Sequence, residues 1–84
     1  MQKNVSAKHF LEPKIVSARI TAMPKGLFDP MPQVWIKLEN QTEEEFLYDY
    51  YPDEISFKST EFVGLTRSEA ISLKHNKDLA YLRS

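Results

Sequence analysis

The sequence contains no cysteine, only two glycines, and no apolar run that approaches the about 18 residues of a membrane-spanning helix. Without thiols there can be no disulfide and no thiolate zinc site. The two glycines, Gly26 and Gly64, are isolated, which excludes a glycine-rich phosphate loop, and no serine lies in a G-x-S-x-G context. The two histidines, His9 and His75, are too far apart in the chain to form a metal-ligand motif. The opening MQKNVSAKHFLEPK lacks the apolar segment of a signal peptide. These absences point to a cytoplasmic protein with no membrane anchor, no cofactor and no metal.

A length of 84 residues implies a single domain, 1–84, with residues 1–12 as a loosely ordered N-terminal arm. A domain this small buries only roughly 60–65% of the surface its unfolded chain exposes, and a cleft deep enough to enclose a substrate would consume most of its core. The chain is therefore read as non-catalytic. At 42% hydrophobic and 27% charged residues it has the balance of a folded protein, not a disordered one.

Alternation marks the strands. In KIVSARITAM, residues 14–23, Val16, Ala18, Ile20 and Ala22 fall on one side, against Ser17, Arg19 and Thr21. Pro24 and Gly26 end that strand, and PKGLFDPMP forms a stiff, irregular connection carrying Leu27, Phe28 and Met31. A second strand, QVWIKLEN, alternates Val34, Ile36 and Leu38 with Trp35, Lys37 and Glu39, which puts the tryptophan on the polar side. The short Asn40–Thr42 turn makes it an antiparallel hairpin with a third strand built on residues 43–51. A fourth strand is expected somewhere between Ile55 and Val63.

Thr66 and Glu69 form a capping box, so a helix starts at Arg67. Beyond it, Ala70, Ile71, Leu73, Leu79, Ala80 and Leu82 scatter around the axis at 100° per residue, which predicts a break near His75 and Asn76. The expected fold is α+β: a small, mostly antiparallel sheet of three to four strands with a C-terminal capped, kinked or broken helix packed on one face. The phrase EFVGLTRSEA resembles the strand-to-helix junction of the potato inhibitor I family and of PASTA domains. The likeness covers about ten residues and implies a capped helix start, with no activity carried over.

Charge supplies the functional candidates. Residues 39–54 hold Glu39, Glu43, Glu44, Glu45, Asp49, Asp53 and Glu54 with no lysine or arginine, while both flanks are net basic. Read with period two, EEEFLYDYYPDE divides into Phe46, Tyr48 and Tyr50, expected in the core, and an outward row of Glu45, Leu47, Asp49 and Tyr51. The candidate partner-binding residues are Glu43, Glu45, Asp49, Tyr51, Asp53 and Glu54, with Trp35, Phe28 and Met31 as apolar anchors. Lys37 and Lys58 are the cations expected to neutralise part of this row. The reading is a protein-interaction module, a small inhibitor or regulator of phage or mobile-element type that occludes a basic or phosphate-binding site on another protein. Self-association into a homodimer through the 42–51 edge is a further expectation. The alternatives are a nucleic-acid-binding protein using Lys3, Lys8, Lys14, Arg19 and Lys25 with Trp35 or Phe28 for stacking, and a small oligomeric enzyme or small-molecule binder.

Overall fold

The computed structural model describes residues 12–83; the expected N-terminal arm lies outside these residues except for Glu12. Three strands, β1 (Ile15–Ile20), β2 (Gln33–Leu38) and β3 (Glu45–Asp49), form an antiparallel sheet in the order β1-β2-β3. One helix, α1 (Arg67–Arg83), follows. The middle strand behaves as its alternation predicts: Val34, Ile36 and Leu38 are buried, while Gln33, Trp35 and Lys37 point to the opposite, outer face.

Both neighbouring strands depart from simple alternation, each through a bulge. In β1, Ile15 pairs with Leu38 but Ser17 pairs with Lys37, leaving Val16 as the extra residue. The bulge shifts the phase, so Ile15 as well as Ala18 and Ile20 meet the core, and Val16, expected inside, is exposed. The start of β1 is held from its other edge by residues 64–66. Ile15 N–H donates to the Leu65 carbonyl at 2.7 Å and Gly64 N–H donates to the Ile15 carbonyl at 2.9 Å. Gly64 makes that approach with φ of +92°, a conformation that side chains disfavour.

The bulge in β3 matters more. Val34 pairs with Tyr48 and Trp35 with Phe46, so Leu47 is the extra residue. Tyr48 and Tyr50 stay on the core side, but Phe46 is turned to the outer face, where it is 47% exposed. Its expected place in the core is overturned.

No fourth strand forms among the described residues. Residues 55–63 run irregularly around a short 3-10 turn, Ser59–Glu61, and deliver Ile55, Phe57 and Phe62 to the core. Phe57 packs edge-on to Tyr50 at 4.9 Å and against Phe62 at 5.4 Å. The spacing of five between Phe57 and Phe62 does not suit a strand, and aromatic packing in place of ladder hydrogen bonds holds the segment.

The helix start is as predicted. Glu69 N–H donates to Thr66 Oγ1 at 3.1 Å, and Thr66 N–H donates to Glu69 Oε1 at 2.9 Å. The helix then continues through His75 and Asn76 without the predicted break. Its apolar residues scatter because only the first half packs on the sheet: Ala70 is buried and Leu73 half-buried, while Ile71, Tyr81 and Leu82 are exposed. Lys74 and Asp78 pair across one turn at 2.9 Å. Lys77 donates to the Ser56 carbonyl at 2.6 Å, and its ammonium lies 4.4 Å from the Phe57 ring centroid.

Candidate functional site

Sheet topology places the β1–β2 connection and the chain leaving β3 at the same end of the molecule. Thr21 N–H donates to the Gln33 carbonyl at 2.9 Å, and Tyr50 N–H donates to the Pro32 carbonyl at 3.3 Å. Between these ties, residues 24–32 project as a finger. At its apex Asp29 Oδ2 accepts from Lys25 N–H at 2.8 Å and Gly26 N–H at 3.1 Å, and Asp29 N–H donates to the Gly26 carbonyl at 3.3 Å. The carboxylate thus reaches back three and four residues to close the turn from its far end, satisfying two backbone donors of the loop. The apex residues are Leu27 and Phe28, 91% and 94% exposed. Met31, nearer the sheet, is half-buried and Pro32 is buried.

The acidic stretch is divided. Along β3, Glu44 and Asp49 stand roughly 15 Å apart at the rise of an extended strand, so its two ends do not form one surface. At the hairpin end, Glu44 binds Arg19, with Oε1 2.8 Å from the guanidinium. Glu45 binds Arg67 through two contacts of 2.7 and 2.8 Å and accepts from Gln41 Nε2 at 2.8 Å. The Arg19 hydrogen bonds hold Glu44 below the usual carboxylate range, and those from Arg67 and then Gln41 do the same for Glu45. Arginines from β1 and the helix start thus do most of the neutralising expected of Lys37 and Lys58. Lys37 contributes only a secondary attraction to Glu44. Glu43 is exposed in the same turn.

At the finger end the acids are not compensated in this way. Asp49 lies on the outer face opposite Gln33, and Asp53 and Glu54 lie on the turn that follows, where Glu54 and Ile55 N–H both donate to the Tyr51 carbonyl at 3.0 and 3.2 Å. Tyr51 is 62% exposed. None of the Asp49, Asp53 and Glu54 carboxylates has a hydrogen bond or ion pair to another described residue. The structure therefore brings Asp49, Tyr51, Asp53 and Glu54 to the end that carries Phe28, and separates Glu43 and Glu45 from them.

Trp35 sits on the outer face, away from α1. Its indole N–H donates to Gln33 Oε1 at 3.0 Å, its ring meets Phe46 edge-on at 5.7 Å, and the Arg19 guanidinium carbon lies 5.7 Å from its centroid. Arg19 starts on β1 and Glu44 lies just before β3, so their pair spans β2, a distance of about 10 Å between the outer strands. It acts as a strap beside the indole and leaves it half-buried. Neither Arg19 nor Trp35 is thereby an open stacking platform.

Among the described residues there is no group of three His, Cys, Asp or Glu placed to hold a metal, and no helix is long and apolar enough to cross a membrane. A groove of about 350 Å³ runs beside α1, lined by Leu65, Ser68, Glu69, Ser72, Leu73 and Asn76. Its one ionisable group, Glu69, is committed to the helix cap. No family model, characterised protein or solved structure matches this chain.

The sequence pointed to Phe28, Met31 and the acids separately. It put Leu27 beside Phe28 on the same connection without naming it an anchor, and it did not show that Arg67 reaches back to Glu45. The PKGLFDP pattern carried the first signal, with two large apolar residues between turn-forming Gly26 and Asp29.

Proposed function

We propose that this chain is a non-catalytic protein-interaction module, a small inhibitor or regulator that engages its partner through the finger end of the sheet. The observation that carries the reading is the Leu27–Phe28 apex, two large apolar side chains almost wholly in solvent on a turn closed by Asp29. Burying a leucine and a phenylalanine contributes about 1.5–3 kcal/mol each, and the apex gains nothing from either while it stands free. Pro24, Pro30 and Pro32 stiffen the finger, which lowers the entropy lost when it docks. Asp49, Asp53 and Glu54 border the same end, so the complementary partner has an apolar slot with a basic rim, as a phosphate- or nucleic-acid-binding site of another protein would have.

The nucleic-acid reading has less behind it. Arg19 is committed to Glu44 and lies against Trp35, and the exposed carboxylates at the finger end repel a phosphate backbone. The test is recovery of partners from the source cells with three baits: wild type, Leu27→Ser with Phe28→Ser, and Asp49→Lys with Asp53→Lys. A partner held by wild type, lost with the apex variant and weakened with the charge variant supports the reading. Equal recovery by all three overturns it, as does tight oligonucleotide binding that weakens steeply with salt.

A further inference from the structure

We infer that the outer face of the sheet is a self-association surface and that its occupant is a second copy of this chain, seated face to face. Helix α1 and residues 55–63 pack on one side of the sheet, and no described element covers the other. The centre of that other side is aromatic: Trp35 and the 47%-exposed Phe46 touch edge-on, with Arg19 strapped beside them to Glu44. Its periphery carries both signs, and their placement is what selects a second copy. Lys37 lies one row toward the hairpin end from Trp35, and Asp49, opposite Gln33, lies one row toward the finger end.

A twofold axis running across the strands at Trp35 reverses the strand direction and brings each Lys37 over the Gln33–Asp49 row of the other copy. Two equivalent Lys37–Asp49 pairs then flank stacked Trp35–Phe46 centres, as an isologous interface requires. Sheets packed face to face stand about 10 Å apart, within reach of a lysine and an aspartate extended toward each other. The Arg19–Glu44 strap stays internally neutral on each copy. A face of three short strands buries less than the about 1,200 Å² in total that a stable complex needs, so the dimer is a weak one. The surface shares Asp49 with the rim of the finger end but not the Leu27–Phe28 apex, so Phe46→Glu tests self-association alone and the apex variant tests the finger alone.

Sedimentation equilibrium of the purified chain from 10 μM to 1 mM tests this, with Trp35 emission followed over the same range. The expected result is a rise from monomer to dimer mass with a blue shift of the emission. Phe46→Glu, at a position already half in solvent, is expected to weaken association at least tenfold. Lys37→Asp and Asp49→Lys are each expected to weaken it, and the double swap to restore it. Monomer mass throughout overturns the inference. So does association that survives Phe46→Glu in a folded protein, or a double swap no better than either single reversal.

Discussion

Tyr50→Phe should make this protein more stable. The Tyr50 ring is 1% exposed and packs edge-on to Phe57 at 4.9 Å, but its hydroxyl is buried and has no hydrogen-bond partner among the described residues. A buried, unsatisfied polar group costs about 1–3 kcal/mol. Deleting one oxygen leaves a void of roughly 15 Å³, which at about 24 cal/mol per Å³ returns only about 0.4 kcal/mol. The net expectation is a gain of about 1–2 kcal/mol, with each kcal/mol raising Tm by about 4–8 °C in a domain of this size. Tyr48→Phe is the matched control, because the Tyr48 hydroxyl donates to the Ala70 carbonyl at 2.9 Å and its loss should cost about 1 kcal/mol. Urea and thermal unfolding followed by circular dichroism measure both. If Tyr50→Phe destabilises by more than about 0.5 kcal/mol, its hydroxyl has a partner and the description of the core is wrong.

Three further outcomes are expected. Glu45→Gln should cost about 0.5–1 kcal/mol at pH 7, a modest value because the pair is partly exposed. Because Arg67 depresses the Glu45 pKa, that contribution is present above the unfolded carboxylate value and is lost as pH falls through the folded one, so the gap between wild type and variant should close on acidification in pH-dependent urea melts. Burial raises the phenol pKa of Tyr48 and Tyr50, so their contribution is full below about pH 10 and is lost as pH rises. Ultraviolet titration should show both ionising only with alkaline unfolding, a component removed when both are phenylalanine. Gly64→Ala should cost about 1 kcal/mol or more through its positive φ alone, whereas Gly26→Ala, with open space around the added carbon and no positive φ, should leave Tm unchanged or slightly raised.

The sequence made legible what depends on local chemistry and regular period. β2 alternates without interruption, and its buried Val34, Ile36 and Leu38 were readable directly. The Thr66–Glu69 cap was equally readable, because both partners lie within one turn. Bulges were not legible. One extra residue in β1 and one in β3 exchange the faces of the residues on either side, so Val16 and Phe46 went to solvent and a single acidic row became two ends. The unbroken helix was hidden for another reason. Apolar scatter signals a break only in a helix packed along its length, and the second half of α1 is largely exposed. Of the candidate site, residue types were visible but grouping was not, because Arg19 and Arg67 reach the acids from elements 25 and 22 residues away in the chain.

The central claim is that the finger apex is the contact surface, and the most direct measurement of it is affinity for the recovered partner. A photoreactive residue placed at position 28 identifies the protein that touches the apex in the source cells. Calorimetric titration of that purified protein then compares wild type with Leu27→Ser combined with Phe28→Ser. Losing the burial of both side chains, about 3–6 kcal/mol, predicts a fall in affinity of about a hundredfold or more with Tm unchanged. A change of less than about threefold in a folded variant would contradict the claim.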